Sequence, residues 1–311
     1  MLNRRHLRIR VLQFLYSWNK SNGSEIAVLE KQFLKSLNKV EELYILLFIY
    51  ILEVRDFAEN YLEDSKKKQL PSKNDLNPNR KFIDNLFLKK MKDDSYLSNK
   101  SRNAKLSFVD EKNMIKAIYF KIVETELYKS YMDEENTNFE SDKSFIVKLF
   151  SKELIEMEAF QDFLNEQYIF WNDDFPFVCS MVIKTIKQSD KNKLELFDLF
   201  KDTDEKDFAV NLLRHSIVHS QEFSELISSK TKNWDLERVA QMDLILMQMA
   251  LTELLKMPSV PVKVTINEYI ELAKYYSTTN SKNFVNGILD SLLAELKRKG
   301  AIKKIGRGLI E

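Results

Sequence analysis

The chain has 311 residues, of which 44% are hydrophobic and 12% aromatic, enough to bury a sizeable core in one large domain or two ordinary ones. Its 48 Lys and Arg balance 47 Asp and Glu, so the molecule as a whole has no strong attraction to polyanions and any nucleic-acid site must be local. Only five Gly and five Pro interrupt the chain, too few for a β-sandwich or for the glycine loops of a dinucleotide fold. We therefore expect an all-α protein.

The cysteine content and the hydrophobic runs favour a cytoplasmic protein. The single cysteine, Cys179, cannot form an internal disulfide, which fits a reducing compartment. The longest uninterrupted apolar run, Leu43 to Leu52, is much shorter than the roughly 20 residues of a membrane span, and it predicts a buried core helix instead. No cleavable signal segment follows the basic N-terminus, so we expect neither export nor membrane insertion.

The first segment predicts an amphipathic helix over Arg4 to Trp18. Leu7, Val11 and Leu15 recur at helical spacing and fall on one inward face. A rotation of about 100° per residue places the following side chains on the solvent side: Arg5, His6, Arg10, Gln13, Tyr16 and Ser17.

This helix begins with arginines, and residues 1–24 contain no acid. Cations at a helix N-terminus oppose the macrodipole, so a sequence selected for stability would place Asp or Glu there. The arginines are explained if they meet phosphates, with Gln13 and Tyr16 available to bases. A basic start without a function explains the same residues, and spacing alone leaves both interpretations open.

Further helices and loops follow from periodicity and from turn residues. Helical patterns cover residues 25–37, 40–65, 80–92, 111–132, 236–256, 261–276 and 282–299. Polar segments at 66–80, 95–110 and 133–142 separate them and predict loops. Asn280 or Ser281 can cap the last helix, and Gly300 suits its C-terminal end.

An internal repeat relates residues 142–183 to residues 205–246 at a constant offset of 63 positions. The aligned pairs include Phe145/Phe208, Leu149/Leu212, Phe160/Phe223 and Trp171/Trp234. Helical periodicity produces some of these matches by chance, but the ungapped aromatic spacing favours a duplicated helix hairpin whose two copies bury the same faces.

Catalytic motifs are absent from the sequence, including phosphate-binding glycine loops, nucleophile elbows and paired-cysteine metal spacing. His215 and His219 lie four residues apart, as zinc ligands on a helix would, but no third ligand is recognisable. We expect no catalysis, no cofactor and no metal.

At its two ends the chain resembles the NusB family of bacterial transcription antitermination factors. Residues Arg4–Trp18 resemble the family's RRxxR…Q-x-LYxW opening, and the C-terminal part resembles its NW-x-LER-x-A-x2-D, AL-x-EL, VP-x-KV-x-INE-x-IELAK and KFVNGVLD elements at Asn233–Asp243, Ala250–Leu254, Val260–Lys274 and Lys282–Asp290. The length places it with a long, Bacteroidetes-like form of the family.

The resemblance implies a NusB-like helical bundle, built from residues 1–20 and 204–299. Residues 21–203 would form a helical insertion, and their segment 142–183 would be a partial repeat of the bundle's own helix hairpin. Residues 300–311 would form a C-terminal tail.

The resemblance also implies non-enzymatic function: binding of the boxA RNA of ribosomal RNA leaders, together with ribosomal protein NusE and the transcription elongation complex. The RNA surface carried over by motif comprises Arg4, Arg5, Arg8, Gln13, Tyr16, Asn280, Ser281, Lys282, Phe284 and Asn286. Glu253 falls on the helix that faces NusE in the family. His6 stands where the family commonly has Arg, and Asn280 stands where it frequently has Asp. These departures predict an RNA affinity, or a pH dependence of that affinity, different from the family's.

Two other interpretations stay open. The insertion could have turned the protein into a helical protein-interaction scaffold with weakened RNA binding. A NusB-like domain also precedes some ribosomal RNA cytosine methyltransferases, but those require a cofactor-binding sheet with a glycine loop, which this sequence does not offer.

Overall fold

The computed structural model describes residues 1–21, 25–135, 138–168, 170–231 and 239–309. Within these ranges the secondary structure is helical and no β-strand occurs, which confirms the all-α expectation. No helix in the described part of the chain is long and apolar enough to cross a membrane. The chain divides into two compact units, unit 1 with Met1–Leu37 and Phe200–Glu311, and unit 2 with Asn38–Leu199.

Unit 1 is a helical bundle around one central helix. Its helices are α1 (Arg4–Lys20), the first part of α2 (Ile26–Lys66), α11 (Thr203–Val218), α12 (Ser220–Lys230), α13 (Gln241–Lys256), α14 (Val262–Tyr276) and α15 (Ser281–Arg298). Every residue from Ile245 to Leu254 is buried, so α13 has no solvent face along this stretch and forms the centre of the bundle. Helix α1 packs its buried Leu7, Val11 and Leu15 against α11 and α13.

Unit 2 contains the remainder of α2 and eight further helices among its described residues. These are α3 (Lys73–Leu76), α4 (Leu86–Lys92), α5 (Ser95–Ala104), α6 (Lys112–Glu124), α7 (Glu126–Asp133), α8 (Phe139–Lys152), α9 (Glu158–Gln167) and α10 (Trp171–Gln188). Its core is rich in aromatic contacts. The Tyr50 ring stacks on Phe160 with centroids 3.8 Å apart, and Tyr131 stacks on Phe145 at 3.7 Å.

Several predicted element boundaries are wrong, among them the start of α4, which lies at Leu86 and not at residue 80. Three others have a clear physical cause. The two helices expected at 25–37 and 40–65 form one helix, α2, because no Gly or Pro occurs between them to end the first. Helix α5 occupies part of the loop expected at 95–110, since the Asp94 carboxylate accepts a hydrogen bond from the Leu97 amide and starts it. The helix expected at 111–132 is broken at Thr125, whose backbone is extended and whose hydroxyl caps α7.

The two segments of the predicted repeat fall in two sets of helices, α8 to α10 and α11 to α13. Phe145 and Phe208 are each 4% exposed, and the pairs Leu149/Leu212 and Phe160/Phe223 are buried in both copies, as the duplication predicts. Trp234, the partner of Trp171, lies outside the described residues. At these three pairs of positions the two segments bury the same side chains.

One acidic position of the repeat is used differently in its two copies. Asp142 is buried in unit 2 and accepts hydrogen bonds from the Leu86 amide at 2.7 Å and the Tyr131 hydroxyl at 2.8 Å. Its counterpart in unit 1, Glu205, lies 3.7 Å from Arg4 of α1. The same register position thus fixes the start of α4 in one copy and faces the first turn of α1 in the other.

Helix α15 ends as predicted but begins differently. Gly300 has a φ of +62° and the Ala301 amide donates to the Leu296 carbonyl, so the expected C-terminal glycine is confirmed. At the other end neither Asn280 nor Ser281 caps the helix by its side chain. The Ser281 hydroxyl instead donates to a carboxylate oxygen of Asp243 at 2.7 Å, which ties the start of α15 to α13.

Candidate nucleic-acid interface

The first turns of α1 contain arginines and no acid of their own. Asn3 caps the helix, because its side-chain oxygen accepts a hydrogen bond from the His6 amide at 3.1 Å. The first turn contains no Asp or Glu, which leaves the positive end of the macrodipole uncompensated within α1.

Each of three arginines has a carboxylate opposite it on another helix. Helix α11 supplies one acid, α13 a second and α14 a third. The pairs are Arg4 with Glu205, Arg5 with Glu268 and Arg8 with Glu253. The cations that oppose the helix dipole are therefore compensated by tertiary ion pairs, and this explains how a basic helix start is stable in the bundle.

Arg8 and Glu253 lie in the interior of unit 1. Their side chains are 2% and 0% exposed, and Nε and NH2 of the guanidinium donate to the two carboxylate oxygens at 2.7 and 2.9 Å. Thr265 and Tyr269 of α14 donate their hydroxyls to the same carboxylate at 3.1 and 2.8 Å. Burial alone would lower the pKa of Arg8, but the Glu253 carboxylate outweighs it and the pKa lies above its ordinary value.

Arg4 and Arg5 reach solvent. Their side chains are 29% and 49% exposed. The Arg4 guanidinium also lies over the Phe208 ring, 4.8 Å from its centroid, which limits the directions that it can take. Arg10, expected on the solvent side, is buried at 3% exposure. The expectation was wrong because the buried residues of α1 span a wider arc than one apolar stripe, and Arg10 falls within that arc.

The remaining predicted residues of α1 lie farther along the helix. Gln13 is half-buried, and Tyr16 is 38% exposed. The Lys20 ammonium lies 5.7 Å from the centroid of the Tyr16 ring. A cation and an exposed ring are thus adjacent at this end of α1, a combination that suits a phosphate and a stacked base.

The second predicted group surrounds the start of α15. Asn280 and Lys282 are exposed, Phe284 and Asn286 are half-buried, and Ser281 is buried against Asp243. A cavity of about 540 Å³ opens here, lined by Val239, Ala240, Asp243, Asn280, Asn283 and Phe284 among others.

Asp243 gives this cavity a polar wall. The residue is 4% exposed, and its second carboxylate oxygen has no hydrogen-bond partner among the described residues. A buried acceptor of this kind is costly unless a donor reaches it. An amino or imino group of a nucleobase that entered the cavity would supply such a donor.

Helix α13 connects the two predicted groups. It packs against both α1 and α15. Glu253 near its C-terminal end holds Arg8 of α1, while Asp243 near its N-terminal end holds Ser281 of α15. The relative placement of the two groups therefore depends on one buried helix.

His6 is neutral in this environment. Burial, and secondarily the neighbouring Arg5 charge, lowers the pKa of His6 to about 4. His6 consequently adds no positive charge to this end of α1 near neutral pH, unlike the arginine that is common at its position in the resembled family.

Three acidic residues of the site were missed by sequence reasoning: Glu205, Asp243 and Glu268. Each acts on a residue that is distant in sequence, as in the Arg5–Glu268 pair, which spans 263 positions. Local spacing and helix periodicity hold no signal for such pairs. Pairing each arginine of α1 with a distant acid would have required knowledge of the bundle.

The histidine pair His215 and His219 stands apart from these groups. Their rings are 6.0 Å apart, and His219 pairs with Glu222. No cluster of three metal-ligating side chains occurs in the part of the chain that the structure describes.

Comparison with known proteins gives one family. Residues 178–294, from α10 into α15, match the family model described as NusB family. The transcription antitermination protein NusB of Salinibacter ruber is 45% identical over 112 residues, which are 36% of this chain and 70% of that protein. The NusB proteins of Chloroherpeton thalassium and Geobacter sulfurreducens are 44% and 43% identical over 114 and 95 residues, covering 54% and 69% of their lengths and 37% and 30% of this chain.

The family match covers the C-terminal part of the chain and ends before the last turns of α15. Helix α1 lies outside the matched range, so its place in the site rests on its sequence motif and on its contacts with α13 and α14. No solved structure matches this chain significantly.

Proposed function

The chain belongs to the NusB family, and we propose that it is a transcription antitermination factor that binds boxA-type RNA together with ribosomal protein NusE in the transcription elongation complex. The RNA-binding surface would combine Arg4, Arg5, Gln13 and Tyr16 of α1 with the start of α15. In this proposal the protein acts in the cytoplasm and catalyses no reaction.

The observation that carries the proposal is the joint positioning of a basic helix and a polar cavity by α13. Arg4 and Arg5 present guanidinium groups to solvent, and these can contact RNA phosphates. The cavity at Asn280 and Phe284 offers an aromatic ring and hydrogen-bonding groups to a base. Phosphate contacts would set the position of the RNA, while the cavity would read its sequence.

The distribution of charge between the two units also supports RNA binding by unit 1. Unit 1 contains more Lys and Arg than Asp and Glu, whereas unit 2 contains more Asp and Glu. A surface that attracts RNA electrostatically is therefore favoured on unit 1.

Arg8 and Glu253 take a different role in this proposal from the one that the resemblance implied. Both side chains are occupied by each other in the interior, so we propose that they act by holding α1 in place. RNA would be contacted directly by the exposed Asn280 and Lys282 and by the half-buried Phe284 and Asn286. Ser281 would fix the start of α15 through its hydrogen bond to Asp243.

The test measures binding of the full chain to a boxA oligonucleotide and to a scrambled one over a range of salt concentrations, with and without NusE. The double variant Arg4→Ala, Arg5→Ala should bind both RNAs more weakly and reduce the slope of log K against log salt by up to about 1.4, at no more than about 0.7 per phosphate contact. Arg214→Ala, which removes an arginine of 48% exposure elsewhere in unit 1, is the matched control and should leave binding and slope unchanged.

A second variant tests the cavity. Phe284→Ala should weaken boxA binding and leave scrambled RNA almost unaffected, because stacking on a positioned base contributes to the specific complex. Equal affinity of the wild-type chain for boxA and scrambled RNA, with a normal response to NusE, would favour the interaction-scaffold alternative over this proposal.

A further inference from the structure

Arg5, which pairs with Glu268, is the most exposed of the three paired arginines of α1. Nε and NH2 of Arg5 donate to the two carboxylate oxygens of Glu268 at 2.9 and 2.7 Å. The Arg5 side chain is 49% exposed, while the Glu268 side chain is 19% exposed. The carboxylate thus lies on the inner side and holds the guanidinium at the surface.

Glu268 is fixed in place from its other side by a second arginine. One of its oxygens lies 3.7 Å from NH1 of Arg8, and Arg8 is itself locked in the interior by Glu253. The hydrogen bond from Arg5, and secondarily the charge of Arg8, lower the pKa of Glu268, so the group stays ionised at neutral pH. When Arg5 turns towards a ligand, the charge of Arg8, 3.7 Å away, still favours the ionised carboxylate of Glu268.

A phosphate group and a carboxylate use the same donors of a guanidinium in the same forked geometry. An RNA phosphate can engage Arg5 fully only by displacing Glu268, or by accepting the repulsion of that carboxylate close by. We propose that Glu268 competes with RNA phosphate for Arg5 and thereby lowers the affinity of this surface for any RNA backbone.

This inference rests on the proposed RNA-binding function and adds a determinant to it. Backbone contacts are independent of sequence and supply most of non-specific binding. A carboxylate that weakens them leaves a larger share of the binding free energy to the cavity at Asn280 and Phe284. An RNA without the correct base would then bind too weakly to persist.

The chain contains a matched control for this pair. Arg214 and Glu30, also in unit 1, form a bidentate pair at 2.6 and 2.8 Å, with side chains 48% and 16% exposed. Glu30→Gln removes the same charge from an ion pair of nearly identical geometry and exposure, and neither Glu30 nor Arg214 is among the predicted RNA-binding residues.

The test compares wild type, Glu268→Gln and Glu30→Gln in the full chain, binding boxA and scrambled RNA over a range of salt concentrations. Glu268→Gln should tighten binding of both RNAs by about threefold to tenfold. It should also steepen the salt slope by up to about 0.7, since Arg5 would meet a phosphate without leaving an anion behind. Glu30→Gln should bind as the wild type does.

A double-mutant cycle with Arg5→Ala identifies the group through which the effect acts. In the Arg5→Ala background, Glu268→Gln should give little or no gain. A Glu268→Gln variant that binds no more tightly than Glu30→Gln, or whose gain persists without Arg5, overturns the inference. If wild type binds boxA and Arg5→Ala weakens it, that result leaves the proposed function intact; absence of RNA binding by the wild type overturns both.

Discussion

The guanidinium of Arg8 and the carboxylate of Glu253 join α1 to α13 through two hydrogen bonds in an interior where neither side chain reaches solvent. Two hydroxyls of α14 complete the coordination of the same carboxylate. Three helices of unit 1 thus meet at one buried polar group, and the orientation of α1 depends on it.

Removing one partner of this pair should destabilise unit 1 strongly. Glu253→Ala leaves the Arg8 charge buried without its counter-ion, and such a change costs about 3–5 kcal/mol. Because the chain has two units and can unfold in more than one step, the suitable measurement is native-state hydrogen exchange at the amides of α13.

Replacing the whole network should recover most of that loss. The triple variant Arg8→Met, Glu253→Leu, Tyr269→Phe removes the buried charges and the Tyr269 hydroxyl, while the Thr265 hydroxyl keeps the Pro261 carbonyl as an acceptor. Apolar replacements of similar volume are often neutral or stabilising. A triple variant as unstable as Glu253→Ala would show that the loss comes from packing and not from the uncompensated charge.

RNA binding should not respond to the titration of His6 between pH 6 and 8. A histidine with an ordinary pKa would gain positive charge over this range and strengthen phosphate binding as the pH falls. With its pKa lowered to about 4 by burial and by Arg5, His6 stays neutral. The boxA affinities of wild type and His6→Gln should therefore change in parallel over this range; a wild-type affinity that rises selectively at pH 6 would contradict the burial of His6.

A fall in pH should destabilise unit 1 partly through His6. The pKa of His6 in the folded chain lies below the value of about 6.5 expected for the unfolded chain, so the unfolded chain takes up the proton first as the pH falls. The contribution is present above pH 6.5 and is lost as the pH falls towards 4. His6→Gln should lose less stability than wild type between these pH values in urea denaturation.

Asp142 should be essential to the stability of unit 2. Asp142→Ala removes the acceptor of the part-buried Leu86 amide and of the buried Tyr131 hydroxyl. A buried donor left unsatisfied costs about 1–3 kcal/mol, and a donor that water can reach costs less. A loss of about 2–4 kcal/mol is expected at the amides of α8 in hydrogen exchange. Glu140→Ala, an acid of 70% exposure on the same turn, should change stability by less than about 0.5 kcal/mol.

Two glycines should respond in opposite ways to alanine. A Cβ at Gly287, in the middle of α15, meets nothing within 4 Å, so Gly287→Ala should raise the free energy of unfolding by about 0.5–1 kcal/mol through its helix propensity. A Cβ at Gly308 would lie 1.9 Å from the Pro258 carbonyl oxygen. Gly308→Ala should therefore loosen residues 304–309, seen as faster amide exchange there.

Much of the fold could be predicted from the sequence because its information is local. The inward face of α1, the buried run in α2, the boundaries of α14 and the terminal glycine of α15 each follow from apolar spacing or from a single turn residue. The register of the predicted repeat could also be read from the sequence, because finding it requires only the comparison of two segments of the chain. The failures at α2, α5 and Thr125 arose where one capping side chain or the absence of a breaker decided the outcome.

Less of the candidate site could be predicted from the sequence, because the burial and ion pairing of its side chains depend on the assembled bundle. The sequence identifies Arg4, Arg5, Arg8 and Arg10 as one basic group, but it cannot distinguish the two exposed arginines from the two buried ones. That difference comes from α11 and α13 packing on α1. The acids opposite Arg4, Arg5 and Arg8 lie about 200 or more positions away, beyond the reach of any local pattern.

The sequence separation within the Arg8–Glu253 pair, 245 positions, has a consequence for synthesis. Ribosomes add about 5–20 residues per second, so α1 emerges on the order of 10–50 s before the helix that receives it. Unit 2 is contiguous in the chain and can be complete within that interval, whereas α1 lacks its packing partners α11 and α13 until they are synthesised. The newly made first helix, whose arginines and apolar side chains both lack their packing partners, is the segment on which a chaperone would act during translation.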